Sequence, residues 1–397
     1  MQKLSNQEKL RPWMGVALFI FIMAVFLTLG QYMQVKWGMT GLVFTELMFL
    51  AIAVIFSLIR GVSLKEVFPV KKITLRDLFG CAALHAGGFL LSYISIALVG
   101  IIYPKSLKIA DSLNDFMFGN LTFIPALLII GLLPAICEEA IHRGAILSCF
   151  RSIKKDWIIV LIMAIFFGVN HIYIIKFFST AILGGVLAYV LVKKNNILLT
   201  MLMHFTNNAL SVIVTYRQGA ESSDAASIAD MNLVPVLGVY MIIGCVVPFL
   251  FVVGSLLLKP EEHKKKRFAI AAIVSVIMVI SGAMILIKGG LSAQHLNSTV
   301  SYEVTAEEKE IVAAEFDVEE DMTAYVVVSC GNSSGDYRVR IDGDRGSNII
   351  NAPLPEPVGN MRTFWYQCGF QSDHYTVYIV ADDNAVGETP KFSIVIQ

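Results

Sequence analysis

Glu138, Glu139 and Arg143 stand in one apolar stretch of the chain, His171 in a second, and His204 with Asn208 in a third. Together these side chains supply what hydrolysis of a carbonyl bond needs. A carboxylate and an imidazole can take a proton from water, and N–H donors can meet the oxyanion that follows. Ionisable groups are costly in hydrocarbon, so several of them inside apolar segments mark a functional site by default. Their spacing adds detail. Residues four apart share a helix face, so Glu139 and Arg143 can pair while Glu138 projects about 100° away and stays free for chemistry. The same spacing stacks His204 on Asn208. Asn170 adds a polar neighbour to His171, and Gly168 permits close approach of another helix. Pro134, one turn before Glu138, has no N–H to give and predicts a kink that opens room for water. His85 and His142 are expected to be structural, His142 lying off the Glu139–Arg143 face.

The elements that must position these groups are membrane spans. The chain is 56% hydrophobic and only 16% charged, against roughly 25% charged in soluble domains. Apolar runs of about the length that crosses a bilayer recur nine times. They cover Met14 to Tyr32, Leu42 to Ile59, Leu78 to Tyr103, Ile124 to Leu147 and Trp157 to Ile175. Four more cover Phe178 to Val192, Ile197 to Tyr216, Val236 to Leu258 and Phe268 to Ile287. The first is too long for a secretory h-region and no small-residue cleavage site follows, so it is expected to be retained.

Lys and Arg crowd the N-terminus and every second connection: Arg60 to Arg76, Arg151 to Lys155, Lys193 and Lys194, and Lys259 to Arg267. The other connections are poorer in them, and one carries Glu221, Asp224 and Asp230. This alternation predicts a cytoplasmic N-terminus and places the end of the chain outside the cytosol. From Tyr302 onward there are 17 acidic against 6 basic residues, a net of −11, which the rest of the chain balances with +11. The split predicts two domains in different surroundings: a membrane domain over 1–290 with its motif core at about 120–215, and a soluble β-rich domain over 300–397.

Short β-prone runs in the tail (Ala324 to Val328, Tyr337 to Ile341, Tyr375 to Ala381, Phe392 to Ile396) are separated by Gly- and Asp-rich turns, which predicts a small sandwich. No catalytic constellation lies in it, and its Asp-rich turns do not match an EF-hand loop. Cys330 and Cys368 are the pair a disulfide there would join. Cys81, Cys137, Cys149 and Cys245 lie in or beside apolar runs and are expected to be free.

Three short patterns now stand in order on the fourth, fifth and seventh runs. They are Glu138-Glu139-Ala140-Ile141-His142-Arg143 (EExxxR), Phe167-Gly168-Val169-Asn170-His171 (FxxxH) and His204-Phe205-Thr206-Asn207-Asn208 (HxxxN). In kind, order and helix placement they resemble the CAAX-protease and bacteriocin-processing (CPBP, or Abi) family of intramembrane proteases. The likeness covers roughly residues 40 to 215. It implies an all-α polytopic fold with an eight-helix core around a cavity open to cytosol and bilayer. It also implies that Glu138 activates water with the help of His171, that His204 and Asn208 form the oxyanion hole, and that Arg143 holds Glu139. The last two spans and the tail are not implied by it.

The expected activity is therefore that of an intramembrane endopeptidase of the cell membrane, acting on membrane-associated peptides or proteins without a metal cofactor and without a nucleic-acid partner. Two His and one Glu also make up a catalytic zinc set, so a zinc-dependent version is the lesser reading; HExxH is absent. A non-catalytic scaffold or bacteriocin-immunity protein is the alternative from another class, and a proton-coupled transporter is a third, with no inverted repeat to support it.

Overall fold

The computed structural model describes residues 9–119, 121–218, 233–259, 264–293, 296–319, 321–331, 333–356 and 361–396. The acidic connection with Glu221, Asp224 and Asp230 lies outside them. The chain forms two compact units, Met1–Ala283 and Met284–Gln397.

Among the described residues, eight helices are long and apolar enough to cross a membrane. In chain order the helices are α1 (Pro12–Trp37), α2 (Met39–Ile59), α3 (Leu75–Ile102), α4 (Lys105–Phe118), α5 (Phe123–Cys149), α6 (Asp156–Asn170), α7 (Ile174–Lys194), α8 (Ile197–Arg217), α9 (Pro235–Leu258) and α10 (Lys264–Ala293). The protein is thus a multi-pass membrane protein. Of these, α4 is an amphipathic helix rather than a span, suited to lie along an interface. Half of the apolar window of α5 and of α7 is buried within the protein, against 17% for α9 and α10. The two former helices are central, and the last two face outward.

The fifth apolar run departs from expectation. It was expected to run as one helix to Ile175 with His171 well inside. Instead α6 is 15 residues long and ends at His171, which adopts φ −89° and ψ −1° as the C-terminal cap. Ile172 follows at φ +60°, and the N–H of Tyr173 donates to the His171 carbonyl at 2.6 Å. A β-branched residue in the left-handed region is strained, and such strain persists where surrounding packing over-determines it. Here the packing is the α6–α7 hairpin itself. A Cβ on Gly168 would lie 2.9 Å from Ala181 Cβ, and one on Gly184 would lie 2.6 Å from Phe167 Cβ. At the open end of the hairpin Lys193 Nζ pairs with Asp156 Oδ2 at 3.0 Å. A 15-residue helix is about 22 Å long, shorter than the roughly 30 Å hydrocarbon core. Helix α6 is therefore too short to cross the hydrocarbon core by itself.

Helix α5 departs from regular α-helical geometry around Pro134. π-helical turns occupy Leu127–Leu132 and Ala140–Ile146, on either side of the α-helical turn Leu133–Glu139. Such wide turns are common at functional sites.

The second unit is a sandwich of two four-stranded antiparallel sheets, ordered β1-β8-β3-β6 and β2-β7-β4-β5. The strands are β1 (Leu296–Ser301), β2 (Glu310–Val318), β3 (Met322–Gly331), β4 (Tyr337–Gly343), β5 (Asn348–Pro353), β6 (Met361–Phe370), β7 (Asp373–Ala381) and β8 (Lys391–Ile396). Alternate residues point inward, so Val326, Val328, Val339, Ile341, Val377, Ile379, Phe392 and Ile394 form its core. The register overturns the disulfide. Cys330 sits opposite Arg362 and Cys368 opposite Ala324, so the two cysteines are six residues apart along the strands. That is about 20 Å, beyond the Cα separation a disulfide spans. Both thiols are free and buried, and burial pushes Cys368 up to about 11.

Candidate active site

The local spacing that pairs Glu139 with Arg143 is realised. Glu139 Oε1 lies 2.9 Å from Arg143 Nη1, with both side chains wholly buried. Arg143 has a second anchor, its Nη2 donating to the Gly184 carbonyl of α7 at 3.1 Å. It also has a third, because its guanidinium carbon lies 4.3 Å from the centre of the Phe167 ring. The bare backbone of Gly184 lets Phe167 of α6 come this close. A buried ion pair is costly unless its remaining groups are satisfied; Arg143 Nη2 is, while Arg143 Nε and Glu139 Oε2 are buried without a hydrogen-bond partner.

His204 of α8 is held by the same carboxylate. Its Nδ1 lies 3.0 Å from Glu139 Oε1. The Arg143-paired carboxylate can only accept, so Nδ1 carries the hydrogen. Nε2 then faces Glu138, 3.9 Å from Oε2. His204 thus stands between the two glutamates. Glu138 differs from its neighbour in being 12% exposed at the side chain, where Glu139 is at zero.

His171 is oriented by its own helix. Nδ1 lies 2.9 Å from the Phe167 carbonyl oxygen, which also only accepts, leaving the Nε2 lone pair for another partner. Glu138 is near enough to act electrostatically on His171.

Phe167 ties these pieces together. Its ring centroid lies 5.0 Å from that of His171, 5.3 Å from His142 and 5.7 Å from His204, each in an edge-on arrangement. His142, expected to lie off the Glu139–Arg143 face, shares the ring that Arg143 covers. It is fully buried, on the second π-helical stretch.

Asn208 has a place that spacing did not foretell. Its Nδ2 donates to the Ile130 carbonyl at 3.1 Å, and its Oδ1 accepts from Asn207 Nδ2 at 3.2 Å. Ile130 lies four residues before Pro134, and its carbonyl is the one an amide at 134 would have served in an α-helix. Asn208 supplies that missing donor and fastens α8 to α5 one turn before Pro134. One of its two Nδ2 hydrogens is used in this way.

One carboxylate was missed. Glu46 of α2 is 3% exposed, its Oε2 is without a hydrogen-bond partner, and Glu138 acts on it electrostatically. The signal was present: Glu46 is the lone acidic residue in the apolar run Leu42 to Ile59, and the cost of burying it is the same argument that marked Glu138.

For zinc, the available donors would be Nε2 of His171, Nε2 of His204 and Glu138. Among the described residues no three His, Cys, Asp or Glu side chains are arranged to hold a metal ion.

Residues 120–210 match the family model of the Rce1-like type II CAAX prenyl endopeptidases. The match is under a quarter of the chain, and it spans Glu138, Glu139, Arg143, His171, His204 and Asn208. No curated protein and no solved structure matches the chain.

Proposed function

From the premise that this membrane protein carries an Rce1-like segment of the CPBP intramembrane-protease type, we propose that it is a glutamic endopeptidase. Its substrates are membrane-associated peptides or proteins. The observation that carries the reading is the position of His204, with Nδ1 on the ion-paired Glu139 and Nε2 toward the more open Glu138.

In this reading Glu138 takes a proton from water, and the His171 Nε2 lone pair accepts the water's other hydrogen and so aims its oxygen. The hydroxide adds to the scissile carbonyl. The oxyanion is met by His204 Nε2 and by the Asn208 Nδ2 hydrogen not spent on Ile130. For His204 to donate from Nε2 while Nδ1–H stays on Glu139, the ring must carry both hydrogens, and Glu139 is the counter-charge. The proton held by Glu138 then passes to the leaving amine as the C–N bond breaks. Arg143 and Phe167 touch no substrate; they position Glu139 and the three imidazoles.

The alternation of Lys and Arg supports a cytoplasmic N-terminus and an extracytoplasmic sandwich. The short α6 leaves this orientation unchanged. Asp156 and Lys193 pair at the open end of the hairpin, so α6 begins and α7 ends on the same side.

The test is cleavage of a supplied peptide by the full chain reconstituted in liposomes, compared with Glu138→Gln and His171→Ala at matched abundance. Both variants are expected to lose cleavage, and a chelator is expected to leave the wild type active. Full activity in Glu138→Gln overturns the glutamic mechanism. Loss on chelation restored only by added Zn²⁺ reassigns it to the metal.

A further inference from the structure

Away from the groups proposed for catalysis, the basic ends of the spans line a cavity. Its volume is about 450 Å³, within the range of small-ligand sites. The walls come from four places in the chain: the approach to α1, the α2–α3 connection, the end of α5 with the residues after it, and the α7–α8 corner. All of these are points where the chain leaves the apolar zone, so the cavity lies at headgroup level.

Its polar lining is cationic and under-used. Arg151 Nε and Nη2 are buried with no hydrogen-bond partner, as is the hydroxyl of Ser148, a residue 6% exposed. Lys65 and Lys71 stand exposed on the same wall. Glu66 also lines the cavity and acts on Arg151 at longer range; no ion pair joins the two among the described residues. Three cations thus face one carboxylate. Buried donors without partners are costly, and an Arg fork with a neighbouring hydroxyl suits a phosphate group.

The wall is built rather than incidental. The Ile197 N–H donates to the Pro69 carbonyl at 2.8 Å, and Asn196 Nδ2 donates to the Lys71 carbonyl at 2.9 Å. These bonds clamp the α2–α3 connection onto the α7–α8 corner, where Asn195 takes a left-handed conformation at φ +48°. Beside the cations the lining turns apolar, and Val70 is 63% exposed. A charged recess with an apolar lip at the membrane edge fits a ligand that is itself charged at one end and apolar at the other.

We propose that this cavity binds the phosphate of an anionic membrane lipid, gripped by Arg151 and the Ser148 hydroxyl and drawn in by Lys65 and Lys71. The acyl chains leave over Val70 into the bilayer. The site is independent of the protease chemistry and stands whether or not that reading holds.

Native mass spectrometry of the full chain in detergent tests it, with three probes titrated separately: dioleoylphosphatidylglycerol, dioleoylphosphatidylcholine and inorganic phosphate. The wild type is expected to bind phosphatidylglycerol most tightly, because the choline headgroup brings a cation to a basic wall. Lys65→Gln with Lys71→Gln, two exposed positions that leave the core intact, should weaken phosphatidylglycerol binding about tenfold or more. Arg151→Gln should weaken it further. Unchanged binding in the double variant with an unchanged melting temperature overturns the proposal. So does equal affinity for the two lipids, and phosphate binding as tightly as phosphatidylglycerol would assign the cavity to a soluble anion instead.

Discussion

The Arg143 guanidinium carbon lies 4.3 Å from the ring centre of Phe167, and this stacking joins the ion-paired helix α5 to the helix that presents His171. The same ring is flanked edge-on by His142, His171 and His204. The first residue of the FxxxH pattern is therefore the piece around which the site is assembled. Phe167→Ala is expected to cost about 3–5 kcal/mol, as for other large core truncations, and to abolish cleavage. Phe167→Leu retains bulk but not the ring face, so it should fold and lose activity more than stability. Thermal unfolding beside peptide cleavage reads both, and a fully active Phe167→Leu would remove the ring from this role.

Arg143→Ala leaves Glu139 buried without its counter-charge. The expected loss is about 3–5 kcal/mol, seen as a lower melting temperature and lower yield. Lys restores a charge but not the fork that serves Glu139 and the Gly184 carbonyl together, so Arg143→Lys should recover part of the stability. Wild-type melting and activity in Arg143→Ala would refute the structural weight placed on this pair.

Asn208 gives a prediction that separates its two roles. Asn208→Leu removes the donor to the Ile130 carbonyl and should destabilise the protein by about 1–3 kcal/mol as well as slow cleavage. An oxyanion donor with no structural duty would leave the melting temperature where it was. Measuring both on the same preparation decides the point.

In the sandwich, Glu388 receives the backbone N–H groups of Ser334 and Gly335 at 2.9 Å and the Tyr337 hydroxyl at 2.8 Å. Burial pushes this carboxyl up, but hydrogen bonds from Ser334, Tyr337 and the two amides prevail and hold it below its ordinary 4.5. A carboxyl held low in the folded state contributes stability above its ordinary value and loses it as pH falls through the folded value. Amide hydrogen exchange at Ser334 and Gly335 in the full chain, corrected for intrinsic rates, should therefore quicken as pH drops below about 4.5. Glu388→Gln should flatten that dependence, and an identical pH profile in the variant would show that another group controls it.

Much of the protein was legible from local pattern. Apolar length located the spans, and the i, i+4 period put Glu139 with Arg143. The missing N–H of Pro134 marked the stretch where α5 is irregular, and β-prone runs between turn residues located β3, β4, β7 and β8. Other elements were hidden by their own composition. The charged run Glu310–Val318 forms β2 because only its inward side needs to be apolar. The α6 helix stops at His171 inside an apolar run, where Gly168 and Asn170 were the local stop signals and packing against α7 fixes the turn.

The sequence by itself determined which residues share a helix face, since that follows from 3.6 residues per turn and needs no partner. It also marked Glu138, His171, His204 and Asn208 as costly to bury. Only the tertiary structure decided what each face meets: His204 between two glutamates, Asn208 on the carbonyl left by Pro134, Phe167 under Arg143, and Glu46 beside Glu138. The reason is physical. In water, a helix turns its apolar stripe inward and so declares its packing face. Spans surrounded by lipid are apolar on nearly every side, so hydrophobicity cannot rank one face over another. The choice falls to small residues such as Gly168 and Gly184 and to polar groups that must find partners across helices.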